Sequence, residues 1–169
     1  KALDELKVEV EKRSIKVVEK MAGIKWTIGQ TIYAYLSPDD LQYEGNNDSL
    51  VLYVQHGDFK ALFTGDLEKD GERDLVRHYG PYIRGVTLLK AGHHGSKTSS
   101  AEEFVNHTMP SLTIFTAGKD NRYGHPAQEV VERFEKRGLR YYTTGTDGTI
   151  ELSINKKGEI TSLYAWSLK

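Results

Sequence analysis

The spacing of apolar and polar positions changes several times along the chain, and each change predicts an element. Residues 1–13, KALDELKVEVEKR, set Leu3, Leu6 and Val10 three and four apart, the period of an amphipathic helix that ends near Ser14. SIKVVEK, residues 14–20, reads as a short strand. KWTIGQTIYAYLSP alternates around Gly29 and stops at Pro38, which predicts a hairpin. SLVLYVQHGDFKALFTGD holds two β-rich runs parted by HGD, a second hairpin. LEKDGERDLVRHYG returns to helical spacing with a glycine near its end, and GVTLLKAG is a buried strand. SSAEEFVNHTM has serines followed three residues on by glutamates, the pattern of a capping box at a helix start. PSLTIFTAG is another buried strand, and PAQEVVERFEKRG opens a helix at Pro126 and closes it at Gly138. LRYYTTGTDGTIELSIN and EITSLYAWSL finish the chain as strands. Helices and strands alternate in the middle while hairpins dominate both ends, so the expected class is α/β: a mixed sheet flanked by helices.

Composition narrows this picture. At 169 residues the chain is long enough for one domain with a real core and too short for two comfortable ones. With 38% hydrophobic and 28% charged residues and a net charge of −1, it belongs with globular rather than disordered sequences. That balance argues neither for nor against a nucleic-acid substrate, although Lys90, Lys97, Lys119 and Arg122 lie near the motifs below and can form a local basic patch. The absence of cysteine removes disulfides and thiolate zinc sites, so any metal must be held by histidine nitrogen and carboxylate oxygen. No run approaches the roughly 20 apolar residues that span a bilayer, and KALDELKVEV is charged rather than signal-like, so neither insertion nor export is expected of this stretch.

Three apolar runs each finish in a polar cluster: ALFTGD at Asp66, TLLKAGHH at His93 and His94, and LTIFTAGKDNRYGH at His125. The C-terminal ends of buried strands are where α/β sheets place ligands and catalysis, so three such ends point at one shared site. An aspartate there can bridge two cations, and neutral imidazoles supply nitrogen to zinc. Gly65, Gly92, Gly95 and Gly124 flank the clusters and let backbone approach an ion or a substrate closely. Adjacent residues of an extended chain point to opposite sides, so of His93 and His94 one is expected to be a ligand and the other to face substrate or support the first. Blander readings exist for each piece: TGD is a common turn, a His–His pair suits a solvated loop, and His125 before a proline suits a helix entry. His56, His78 and His107 read as exposed turn or helix histidines, and the NND at 46–48 as a loop leading into a strand.

NNDSLVL, ALFTGDLEKDGERDL, LLKAGHHGSKTSS and NRYGHPAQEVVERFEKRG with YYTTGTDGTIEL occur in an order and register that resemble the metallo-β-lactamase superfamily, and within it the soluble C-terminal domain of ComEC-like DNA-uptake proteins. The resemblance runs from about Ser14 onward. It implies an αββα sandwich and a metal-dependent hydrolase, a phosphodiesterase or nuclease acting on DNA. Two metal ions, zinc or manganese, would activate a water and neutralise the attacked phosphate. Asp66 matches the metal-bridging aspartate, and the His93–His94 pair the histidine motif that follows it. His125 matches a position beside the metals that can contact phosphate or donate a proton, which makes Asp66 and His125 the candidate catalytic residues. Ser96, Lys97, Asn121 and Tyr123 are expected to meet substrate. Asn46 and Asn47, with Ser49, match a polar segment standing where other branches of the superfamily carry a further metal histidine.

The departure from the pattern is as informative. No His-x-His-x-Asp-His motif occurs in these residues, so the resemblance implies a single truncated domain: the second half of the sandwich, without the half that carries most metal ligands. The expectation is then weak or absent metal binding by this stretch alone. An uncovered sheet face would be closed by a homo-oligomer or by the other half. Single-stranded DNA is the implied partner, and the extracytoplasmic face of the cell membrane the implied location for a ComEC-like protein, with secretion or the cytoplasm for a stand-alone relative. Two other readings stand beside this one. One is a catalytically silent fragment or structural module, and the other a hydrolase of a different ester or lactone.

Overall fold

The computed structural model describes residues 2–17, 21–38 and 45–166. After a helix, α1 (Ala2–Lys12), come β1 (Lys25–Ile28), β2 (Thr31–Ser37), β3 (Val51–His56), β4 (Phe59–Phe63), α2 (Lys69–Ile83), β5 (Leu88–Lys90), α3 (Glu102–Thr108), β6 (Leu112–Phe115), α4 (Gln128–Glu135), β7 (Tyr141–Thr143), a single helical turn α5 (Thr144–Asp147), β8 (Thr149–Ile154) and β9 (Ile160–Trp166). Strands β1 to β7 form one seven-stranded sheet in sequence order, and β8 and β9 pair with each other. The first four strands run antiparallel, β1–β2 and β3–β4 through two-residue turns, whereas β4, β5, β6 and β7 are mutually parallel. Parallel neighbours need a crossover, and α2, α3 and α4 provide the crossovers.

All three crossover helices pack on one face of the sheet. Leu75 and Ile83 of α2, Phe104 and Val105 of α3 and Val130 and Phe134 of α4 meet Tyr53, Leu62, Leu89 and Phe115 in one core. Phe104, Phe115 and Phe134 are fully buried, each contributing about 1.5–3 kcal/mol by leaving water. The other face is covered in part by the chain's own C-terminal hairpin: Leu152, Ile154 and Leu163 lie on Phe59, Ala61, Leu88 and Leu112. That hairpin takes some of the area for which a second copy or another segment was expected. Beyond it the face continues through Phe63, which stays 39% exposed, to Trp26, which stacks on Tyr33 and meets Tyr35 at a tilt.

Local expectations fare unevenly, for physical reasons. The two hairpins and the order of helices and strands are present. Residues 15–17 are irregular rather than strand, and 18–20 lie outside the described residues. In α1 the side chain of Leu3 lies outside them too, and Leu6 is 59% exposed, so this amphipathic stripe is not buried in the described core. Helix α2 runs through Gly80 and Pro81 to Ile83, and Gly80 lets α3 come close: a Cβ there would stand 3.0 Å from His107 Nε2, which donates to the Gly80 carbonyl at 2.9 Å. The capping box does not form. Ala101 is the N-cap of α3, and the amides of Ser100 and Ala101 donate instead to the carboxylate of Glu72, a fully buried residue of α2, at 2.6 and 2.8 Å. Of the histidines set aside, His56 and His107 are half-buried in side-chain pairings, His56 with the Thr31 hydroxyl at 2.8 Å.

Candidate metal centre

The parallel strands β4, β5 and β6 all end on one edge of the sheet, and β3, antiparallel to β4, begins there: Leu52 pairs with Phe63. Four chain segments therefore meet at one place. The loop before β3 brings Asn46, Asn47 and Ser49; the turn after β4 brings Asp66 and Glu68; the turn after β5 brings His93 and His94; the loop after β6 brings Thr116 and His125.

Asp66 sits just past Gly65, whose φ of +56 is the left-handed region, and a Cβ at Gly65 would stand 3.0 Å from the Ser49 side chain. The Asp66 amide donates to Ser49 Oγ at 3.1 Å, and the carboxylate is half-exposed. His94 Nε2 stands 3.5 Å from Asp66 Oδ1, while its Nδ1–H donates to the Thr116 carbonyl at 2.8 Å. A carbonyl can only accept, so that bond puts a proton on Nδ1 and turns Nε2 toward Asp66, the orientation in which metal-binding histidines are held. Lys90 Nζ donates to the Gly65 carbonyl at 2.6 Å and lies 3.9 Å from Asp66 Oδ1. Burial lowers its pKa and the Asp66 charge opposes that shift.

His93 turns elsewhere. Its Nδ1 is 3.1 Å from Glu68 Oε1, an oxygen that also accepts from Thr98 Oγ1 at 2.8 Å and from the Asn46 amide at 3.1 Å. Burial raises the Glu68 pKa, but the hydrogen bonds from Thr98, Asn46 and His93 outweigh it and hold the carboxyl below its ordinary value. The divergence of the two histidines does not come from extended backbone. Both lie in one tight turn, Gly92–Gly95, with φ of 44° and 56°, and their ring centroids are 6.4 Å apart. Two successive side chains in the left-handed region cost energy that the surrounding contacts must offset. The His93 amide bond to the Gly65 carbonyl at 3.1 Å is one of them.

His125 packs edge-on against His93 with centroids 5.8 Å apart and stacks on Tyr123 at 5.7 Å. Burial first, and then the neighbouring charges of His93 and His94, lower its pKa. Its buried Nδ1 has no hydrogen-bond partner among the described residues.

The other candidates divide. Asn47 caps α2 from a distant segment: its Oδ1 accepts from the amides of Glu68 and Gly71 at 2.9 and 3.1 Å. Asn121 staples its own loop, donating to the carbonyls of Gly118 and His125 and accepting from the amides of Tyr123 and His125. Ser96 is only 5% exposed and its hydroxyl pairs with Thr98 Oγ1, so it shapes the turn, whereas Lys97 and Tyr123 are exposed. The glycines serve mainly to bring protein segments together: a Cβ at Gly95 would meet Pro126 at 2.6 Å, and one at Gly92 the Leu67 carbonyl at 2.6 Å. Sequence reasoning missed Glu68, Thr98 and Thr116. Only the position of Glu68, two residues past Asp66, hinted at it.

Carboxylate oxygen and an imidazole nitrogen fixed from behind are donors that suit a borderline divalent cation. Asp66 and His94 fit as two ligands of such a centre. Among the described residues no group of three or more histidine, aspartate or glutamate side chains converges into a full one.

Sheet, crossovers and strand-end site together define the class: the chain has the metallo-β-lactamase fold. A mutant of the CmlA beta-hydroxylase matches 76% of this chain and 32% of its own with a TM-score of 0.51 at 11% identity, a likeness of fold alone. Within that class the chain is a relative of part of the ComEC-type competence proteins. ComE operon protein 3 of Bacillus subtilis is 40% identical over 119 residues, 70% of this chain and 15% of that protein. Competence protein ComA of Neisseria gonorrhoeae is 32% identical over 135 residues, 79% of this chain and 19% of that protein. The chain thus spans less than one fifth of the length of these relatives. No family model matches it. Among the described residues no helix is long and apolar enough to cross a membrane.

Proposed function

We propose that this chain forms one side of a metal-dependent phosphodiesterase centre that acts on DNA in a DNA-uptake protein. The observation that carries the reading is the Asp66–His94 pair, 3.5 Å apart at neighbouring strand ends with His94 locked from behind by Thr116, in a stretch 40% identical to part of ComE operon protein 3. The remaining ligands come from a segment outside these residues, of the His-x-His-x-Asp-His kind. When bound, the divalent metal supplies positive charge against the attacked phosphate and its water.

The chain's own groups have separable roles. Asp66 would hold the metal through its carboxylate, and His94 would supply a nitrogen ligand. Glu68, with Asn46 and Thr98 beside it, accepts a hydrogen bond from His93 Nδ1 and so holds the ring with Nε2 free to meet the substrate. His125, its pKa lowered, is neutral near pH 7 and suited to accept a proton from an approaching nucleophile. Lys97, exposed on the adjacent turn, meets a phosphate oxygen.

The test is hydrolysis of single-stranded DNA and of bis-p-nitrophenyl phosphate with Mn²⁺ or Zn²⁺, by the chain alone and joined to a segment bearing the missing motif. Activity in the joined protein that falls to background in Asp66→Ala supports the reading. A joined protein that binds metal but ignores both substrates points to another ester or a lactone, and one that binds no metal in calorimetry is a silent module.

A further inference from the structure

We propose that Arg122 and Tyr123 form a subsite that takes one nucleobase of a single-stranded nucleic acid beside His125. The inference rests on the phosphodiesterase reading and adds where the strand is gripped. Tyr123 is 65% exposed, yet it is not loose. One ring neighbour is His125, near-parallel at 19° and 5.7 Å, and the Arg122 guanidinium lies 4.7 Å from the Tyr123 centroid while donating to its hydroxyl. The loop beneath is fixed by the four hydrogen bonds of Asn121 and turned at Gly124 by a φ of +66.

A large aromatic side chain held still while mostly in water gains little of the burial that normally justifies ordering it. What such a ring offers is a flat face whose entropy cost is met before a ligand arrives. Every base has a π-face, so aromatic and guanidinium planes grip single strands without reading their sequence. The stack also has the right place: His125 is the ring next to His93, so a base on the Arg122–Tyr123 face sets its own phosphate at the edge of the cluster.

Charge decides which contact dominates. The loop carries Lys119, Arg122 and Asp120, two cations and one anion, net +1. Phosphate neutralisation by so small a charge gives a salt slope of only about 0.7 for a single strand. Stacking must therefore supply most of the loop's grip, worth roughly 5- to 100-fold in affinity per base.

The experiment is fluorescence anisotropy with a labelled oligothymidylate in EDTA, so that no cleavage intervenes, compared with the same strand carrying abasic sites. Tyr123→Ala is expected to weaken binding of the normal strand by about 5- to 100-fold and of the abasic strand hardly at all, with Tyr123→Trp restoring affinity. Arg122→Gln should lower the salt slope by about 0.7. Equal losses on normal and abasic strands, or no loss, overturn the subsite while leaving the phosphodiesterase reading intact. Failure of the unsubstituted protein to bind either strand overturns the DNA reading as well. Circular dichroism of each variant keeps misfolding from passing as lost contact.

Discussion

The sheet has two unlike halves. In β1 to β4 the chain turns back at each strand end, so successive turns fall at opposite edges, and most residues are half-exposed. From β4 on, each next strand, β5, β6 and β7, is reached through a helix, so the C-terminal ends of all four fall on one edge. A parallel set thus gathers side chains that are far apart in sequence, and an antiparallel set scatters its turns. Among the described residues, the antiparallel half reaches the candidate site where β3 begins beside the end of β4, through Asn46, Asn47 and Ser49.

Substitutions in the two halves should differ accordingly. The largest effect on stability is expected at Glu72, which joins two crossovers of the parallel half. Glu72→Ala leaves the buried amides of Ser100 and Ala101 without acceptors, a cost of about 2–5 kcal/mol in urea unfolding at pH 7. Burial pushes the Glu72 pKa from 4.5 up to about 7, against the opposing pull of those two amides, Arg133 and Lys69. The folded chain therefore keeps a proton that the unfolded chain loses above pH 4.5. Its stabilising contribution is full below that pH and shrinks as pH rises through about 7. The stability gap between the natural chain and Glu72→Ala should narrow from pH 5 to pH 8, and a gap that widens would reverse the sign of the argument.

A smaller loss is expected where the halves touch. Asn47→Ala removes the cap of α2 and should cost about 1 kcal/mol. It should also disturb Glu68, seen as a shift of the His93 ring resonances by NMR; an unmoved His93 would separate the cap from the site. Smallest of all is His56→Ala in the antiparallel half. It gives up the half-buried pairing with Thr31, costs no more than about 1 kcal/mol, and should leave hydrolysis by the joined protein unchanged. A marked loss of hydrolysis there would break the division between the halves.

What could be read from the sequence follows the same division between local and distant. Hairpins and helices announce themselves within a few residues, and Asp66, His93, His94 and His125 stand out because they interrupt apolar runs. Glu68 and Glu72 do not, since in LEKDGERD each looks like one more charge on a solvated helix. Their meaning comes from Thr98, Ser100 and Ala101, about thirty positions away. The left-handed turn at His93 and His94 was equally hidden. The expectation that the two histidines take different roles was argued from an extended chain, and the chain there is a left-handed turn instead.

The bond from His94 to the Thr116 carbonyl has a consequence in time. Asn46 and His93 meet across 47 positions, Glu68 and Thr98 across 30, and His94 and Thr116 across 22. Contacts of such separation form late in folding, after local hairpins and helices. On a ribosome His94 emerges with its Nδ1 uncommitted, and its orientation waits for β6 to be made and added to the sheet. The nascent chain therefore carries all of Asp66, His93 and His94 for a stretch of synthesis before it can arrange them, and the cluster is assembled only when the parallel half closes.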